Sequence, residues 1–478
     1  MVLRRTTYST VVKSMPGHHS LEILTRAKEE GMLKVEKDEK ILIVGGGPGS
    51  RVLNHYLHML NPDVNVTLIR DEDRIANHCS IPYVIDGRVS MEKGLAPEET
   101  VTKFGTPIIK EKVITGNPDA KYVVTDKGNR YSYDRLIFAT GSRQLVPPIE
   151  GVDLGNILKI RAIDDFRETI EVRDKAQSFV VLGAGYIGLE IAAGLRRLGK
   201  DVTIIELMPH VAGGRYDVDF MSMLEKELEE HGIKLYLGKK AAKFGGNGSV
   251  EYVELDDGTI IKTDAVILST GIVPRVDYAK DFGIETAKGG IIINEFLETS
   301  TPYIYALGDC VQTKLYLTDK PFPGELGSNA AQMARILALN FNGYQIPFNG
   351  VINPAVTTLF DIHFGSAGIT EIDAQREGID IYVGKAKNTD IYGNMPETRP
   401  LFTKVLFRKD DKVIVGGEII GTCNVAGFVD VLGQLIYRKA TLEEVVTMHF
   451  STHPEMTPDP AHPYFVFAAQ QLLAKGKA

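Results

Sequence analysis

At 478 residues, 44% hydrophobic and 24% charged, the chain has a globular composition and the length of about three domains. A net charge of −8 argues against nucleic acid as a partner, which needs a concentrated basic face. No apolar run approaches the ~18 residues of a spanning helix. The three cysteines, at 79, 310 and 423, form neither a disulfide framework nor a zinc cluster, so a reducing cytoplasm is the expected compartment.

Residues 1–39 read as an N-terminal extension. "MVLRRTTYSTVVKSMPGHHS" is basic and hydroxyl-rich with no acid before Glu22, a composition shared with transit peptides. "SLEILTRAKEEG" then reads as a short helix closed by a glycine. In "KILIVGGGPGSRVLNHYLH", a buried strand from Ile41 to Val44 runs into a glycine turn and a helical pattern. That is the context of a dinucleotide fingerprint, in which glycines let a pyrophosphate approach a helix N-terminus. Two features depart from the pattern. Ser50 stands at the third glycine position, and the following strand, "VNVTLIRDED", ends on Arg70 and Asp71 where an acid normally takes the ribose hydroxyls.

Next comes "NHCSIPYVIDG", which sets Cys79 between a histidine and a serine. A lone cysteine is more often a packing residue, the reading given to Cys310 and Cys423. "RLIFATGSRQLVPP" ends a strand at Ala139-Thr140-Gly141. A second and cleaner fingerprint follows, "FVVLGAGYIGLEIAAGLRRLGKDVTIIE", with Gly183, Gly185 and Gly188 in the turn and Glu206 at the next strand end. An acid there suits a free ribose diol and favours NADH over NADPH. "AVILSTGIVPR" repeats the crossing pattern at Ser269-Thr270-Gly271. "ETSTPYIYALGDC" then puts Gly308 and Asp309 at a strand end, before the helix "GSNAAQMARILALNFNG".

This order of motifs, with Cys79 after the first turn, resembles the flavin-dependent pyridine nucleotide–disulfide oxidoreductase family from about residue 40 to about 465. The resemblance implies an α/β fold with two Rossmann-like dinucleotide-binding domains and a C-terminal α+β dimerisation domain. The implied FAD-binding domain comprises residues 40–151 and 284–349, the NAD(P)-binding domain 152–283, and the dimerisation domain 350–478. FAD is expected on Gly45, Gly47, Pro48, Gly49, Arg70, Asp71, Thr140, Gly141, Gly308, Asp309, Ser328 and Asn329. NAD(P)H is expected on Gly183, Gly185, Tyr186, Ile187, Gly188, Glu190 and Glu206, with Gly271 nearby.

Familiar members carry a Cys-x4-Cys disulfide; here the fifth residue after Cys79 is Val84. The segment is similar to the single-cysteine branch, which includes coenzyme A disulfide reductases, NADH oxidases and peroxidases, and NAD(P)H sulfur reductases. In that light Cys79 is the expected redox nucleophile, its thiolate favoured by a helix end or by the neighbouring His78 imidazole. Oxidases and peroxidases of the branch usually carry a histidine where this chain has Pro48. The stretch before Cys79 and the first helix also lack the residues of a coenzyme A site. "TLEEVVTMHFSTHPEMTPDP" resembles the segment that a partner subunit lends to the active site, with His453 as proton donor. His449 and His462 lie close by, but the His-x3-His spacing alone is only a weak metal signal, and no metal is expected.

The expectation is therefore an FAD-dependent NAD(P)H oxidoreductase acting on a small disulfide, persulfide or polysulfide, as a homodimer without metal or membrane. An NAD(P)H oxidase and a non-catalytic redox flavoprotein are the alternatives.

Overall fold

The structure, a computed structural model, describes residues 34–474 except 37 and 323. Most of the N-terminal extension, including the helix expected at 20–31, lies outside the described residues. In chain order the first unit contains β1 (Lys40–Val44), α1 (Pro48–Leu60), β2 (Asn65–Arg70), β3 (Ile108–Lys110) and β4 (Arg135–Phe138). The second contains β5 (Ser178–Leu182), α2 (Tyr186–Arg197), β6 (Asp201–Glu206), α3 (Val218–Glu230), β7 (Lys234–Leu237) and β8 (Ala265–Leu268). Then come β9 (Ile304–Ala306) and α4 (Gly327–Phe341), followed by β10 (Ala355–Leu359), β11 (Ile362–Gly368), β12 (Ile381–Thr389), β13 (Pro400–Arg408), β14 (Ile414–Gly421), α5 (Ala426–Tyr437) and α6 (Tyr464–Ala474).

The first sheet is parallel, in the order β9-β4-β1-β2-β3. The late strand β9 thus joins a sheet begun more than two hundred residues earlier in the chain. The second sheet is also parallel, with Ile157–Leu158 at its edge followed by β8-β5-β6-β7. Ile41 to Val44 and Phe179 to Leu182 are buried without alternation, as central strands covered on both faces must be. The third sheet is antiparallel, in the order β10-β11-β14-β13-β12, and shares its core with α5 and α6. The fold is α/β, with the α+β C-terminal part that the sequence implies.

Both glycine turns sit at the carboxyl ends of central strands, where open parallel sheets bind ligands. Gly45 and Gly183 have φ of 113° and 104°. A Cβ on either would lie 2.2 Å from a carbonyl oxygen, that of Ala139 or Ser269, so only glycine fits. The crossing segments pair with each other, Ser142–Gln144 antiparallel to Ile272–Pro274, and bring the two strand ends together. The N-caps of α1 and α2 are Gly47 and Gly185, neither with a side-chain cap, which leaves first-turn N–H groups available to an anion.

Candidate active site

One cavity of about 1400 Å³ spans the two units. Its wall includes Gly45, Gly47, Pro48, Gly49, Arg70 and Asp71 from the first unit, and Thr140 and Gly141 from the crossing segment. The second unit contributes Gly185, Tyr186, Ile187, Glu190, Glu206 and Gly271, and the return segment adds Gly308, Asp309 and Ser328. Cys79 and His78 complete the wall between them. Gly183 and Gly188 do not line it. They shape the turn from behind: a Cβ on Gly188 would stand 2.1 Å from the Gly183 carbonyl oxygen. Asn329 also departs from expectation. It is buried, and its amide donates to the carbonyls of Gly324 (2.9 Å) and the Asn353 side chain (3.0 Å), so it braces the start of α4.

Cys79 is a free thiol exposed to this cavity, in a 3₁₀ turn (His78–Ser80) ahead of the short helix Ile81–Ile85. The expectation that His78 assists as a cation fails. Burial, reinforced by the Arg161 charge, depresses the imidazole to about 4, and its Nε2 lies 3.2 Å from the Arg161 carbonyl oxygen. A neutral ring cannot lower a neighbouring thiol electrostatically. The surroundings instead push the Cys79 thiol above its ordinary value, by desolvation first and then by the carboxylates Glu190 and Asp309, with Arg161 opposing. Cys310 is fully buried, and its Sγ donates to the Leu307 (3.3 Å) and Phe138 (3.5 Å) carbonyl oxygens. Half-buried Cys423 packs against the C-terminal core, where burial pushes its thiol to about 11.

Asp309 follows β9, and its Oδ2 accepts from the Ser142 hydroxyl (2.9 Å) and from Arg161 Nη2 (3.3 Å). Arg161 also donates to Ser142 Oγ at 2.7 Å. Asp309 is expected from the sequence, but its partners Ser142 and Arg161 are not, because Arg161 follows an edge strand, carries no motif, and reaches Asp309 only through the chain's return. Glu206 accepts from the Ala184 N–H (2.6 Å) and the Met208 N–H (2.8 Å), which hold its carboxylate against the second turn. Glu190 accepts a hydrogen bond from Thr357 of β10, tying α2 to the C-terminal sheet, and burial raises its carboxyl. His453 is exposed in a loop, where its own Nδ1 accepts from the Glu455 N–H, and it does not line this chain's cavity. Within one chain it is not brought to Cys79.

The residues present fit two dinucleotides. Buried polar atoms without a partner include Ser50 Oγ, Arg51 Nε, Arg70 Nε and Nη1, and Arg215 Nη1, and the three arginines lie on the cavity wall. Donors of this kind, beside two uncapped helix starts, suit anionic phosphates and ribose oxygens. Elsewhere Asp217, Asp219 and Glu371 set carboxylate oxygens within 4.8 Å of one another. The Lys404 ammonium fills that cluster, 2.9 Å from both Asp217 and Glu371, so it is an ion network and not a vacant cation site.

Among the described residues no helix is long and apolar enough to cross a membrane. The sequence profile for pyridine nucleotide-disulphide oxidoreductases matches residues 39–334, and that for the family's dimerisation domain matches residues 354–462. An NADH oxidase of Methanocaldococcus jannaschii is 32% identical over 91% of this chain and 99% of its own length. An NAD(P)H coenzyme A polysulfide/persulfide reductase of Pyrococcus horikoshii is 31% identical over 80% of this chain and 88% of its own. Among solved structures, an NAD-dependent persulfide reductase from A. fulgidus superposes with a TM-score of 0.86, at 26% identity, over 92% of this chain and 84% of that one. A water-forming NADH oxidase from Lactobacillus brevis, bound to NADH, gives the same TM-score at 25% identity over 92% and 99%. The chain belongs to the pyridine nucleotide-disulphide oxidoreductase family and is an NAD(P)H-dependent flavin oxidoreductase with FAD as its cofactor.

Proposed function

We propose that this enzyme reduces a sulfur–sulfur bond in a low-molecular-weight disulfide, persulfide or polysulfide, with Cys79 as the attacking sulfur. The observation that carries this reading is the position of Cys79, free and exposed in the cavity that joins the two glycine turns. FAD, when bound, supplies the relay of two electrons between NAD(P)H and sulfur. In this reading Gly45 to Gly49, Arg70, Thr140, Gly141, Asp309 and Ser328 hold the flavin dinucleotide. Gly185, Tyr186, Ile187, Glu190, Glu206 and Gly271 hold the nicotinamide dinucleotide, and Gly183 and Gly188 shape its turn. The Cys79 thiolate attacks one sulfur of the substrate. A new sulfur–sulfur bond forms to Cys79 as the substrate's own bond breaks, and the leaving thiolate or sulfide takes up a proton.

The match to a dimerisation domain supports a homodimer, in which the partner subunit's His453 is our candidate donor of that proton. A histidine is the side chain suited to that task near neutral pH. Three free cysteines support a reducing cytoplasm as the compartment. A second reading, NAD(P)H oxidase, is favoured by the names of the Methanocaldococcus and Lactobacillus relatives. Against it stands Pro48, where the resemblance expects a histidine. The two separate in one experiment: turnover of polysulfide and of oxygen by wild-type enzyme and by Cys79→Ser. Loss of polysulfide turnover in the variant supports the first reading. A wild-type enzyme that reduces oxygen but no sulfur substrate overturns it.

A further inference from the structure

The end of β2 holds a cation where such a strand ordinarily ends in an acceptor for the ribose hydroxyls. β2 pairs with β1 so that Ile69 stands opposite Val44, and the Ile69 carbonyl accepts from the Gly45 N–H at 2.7 Å. Arg70 therefore emerges level with the glycine turn. Its stem packs there: a Cβ on Gly46 would lie 3.1 Å from Arg70 Cδ. The Arg70 side chain is 1% exposed. Nη2 is committed, to the Asp73 carbonyl oxygen at 2.7 Å and to the Glu98 carboxylate, which Lys110 also holds at 3.1 Å. Nε and Nη1 are buried, have no partner, and belong to a residue on the cavity wall. The adjacent acids do not replace the missing acceptor equally. Asp71 is drawn off by Arg275, 3.4 Å away, and Glu72 is half-buried with its carboxyl raised by burial and by Asp71.

We propose that Arg70 recognises the adenosine ribose of FAD as a hydrogen-bond donor, its free N–H groups reaching the ribose oxygens in place of an accepting carboxylate. This rests on the assignment of FAD to the first unit. Nη2, clamped by Glu98 and Asp73, fixes the guanidinium plane, so the two remaining donors are presented rigidly.

The test is flavin affinity of the full chain freed of flavin, read by quenching of flavin fluorescence and by thermal shift. Wild type, Arg70→Met and Glu72→Gln are titrated with FAD and with FMN, which lacks the adenosine. Arg70→Met, which keeps the packing stem, is expected to weaken FAD about tenfold or more, roughly 1.4 kcal/mol, and to leave FMN unchanged. Glu72→Gln is expected to leave both unchanged. Equal FAD affinity in Arg70→Met, a parallel loss of FMN, or a loss carried by Glu72→Gln overturns the proposal. If Arg70→Met does not fold, Arg70→Lys keeps the charge without the forked donors and is expected to show the same selective loss; unchanged FAD affinity there overturns the proposal. A wild type that takes up FMN and no FAD overturns the first-unit assignment itself. A wild type that binds FAD no better than Arg70→Met does overturns only the role of Arg70.

Discussion

Lys404 on β13 is fully buried among four carboxylates. Its ammonium lies 2.9 Å from Asp217 and Glu371 and 3.5 Å from Glu418, and it also donates to Asp219. Asp217 and Asp219 come from the start of the α3 segment, while Glu371 and Glu418 come from the C-terminal part, so one cation joins the second unit to the third sheet. Lys404→Met keeps the stem but leaves those acids without it. Removing one partner from a buried ion network costs about 3–5 kcal/mol, because the remaining charges stay desolvated. Lys385, 3.0 Å from Asp219 and 3.1 Å from Glu371, screens two of the four and places the expected loss near the lower figure, about 3 kcal/mol. Urea unfolding followed by circular dichroism is the assay, since the chain has no tryptophan.

The loss has a pH signature. Asp217 and Glu418 are already held above their ordinary values by burial, and Asp219 and Glu371 are held below theirs, against burial, by Lys404 and Lys385. Removing Lys404 moves all four carboxyls up, so the folded form binds protons more tightly. Stability is then retained at low pH and falls as pH rises, which makes the difference from wild type larger at pH 8 than at pH 5. A difference below about 0.5 kcal/mol, or one independent of pH, would refute the reasoning.

Four further outcomes are expected. Burial and then Asp217 push Glu418 up to about 8; its contribution is full below its unfolded value near 4.5 and is lost as pH rises through about 8. Glu418→Gln should therefore match wild type at pH 4, below both values, and unfold at higher urea at pH 9, and identical midpoints at both would refute it. Cys79→Ser should abolish polysulfide and disulfide turnover while stopped-flow bleaching of the flavin by NADH persists; full turnover in the variant would show that another residue is the nucleophile. Because Glu190 helps raise the Cys79 thiol, Glu190→Gln should move the pH midpoint of Cys79 alkylation downward, read by site-resolved mass spectrometry, and an unmoved midpoint removes Glu190 as a cause. With its carboxylate held by two backbone N–H groups, Glu206 should repel a 2′-phosphate, giving NADH an advantage in kcat/KM of about tenfold, roughly 1.4 kcal/mol; a tenfold preference for NADPH would contradict this.

The local parts of this protein were legible in one dimension. The β1 and β5 turns announce themselves because a strand end, a left-handed glycine and a helix start are contiguous, and each requirement is met by neighbours in sequence. The buried runs at Ile41–Val44 and Phe179–Leu182 declare central parallel strands for the same reason. Resemblance then supplied the order of units and the interest in Cys79. Other features required the third dimension. Arg161 meets Asp309 and Ser142 only because β9 returns to the first sheet and the two crossing segments pair. His78 looks like a cation beside Cys79 in sequence, yet burial and Arg161 neutralise it, and solvation is a property of everything packed around a residue. Asn329 adjoins Ser328 in sequence, but one turns inward to Asn353 and the other lines the cavity. Arg70 was visible as an oddity at a strand end; which of its N–H groups are spent and which remain free was decided by Glu98 and Asp73, partners that only the folded chain sets around one guanidinium.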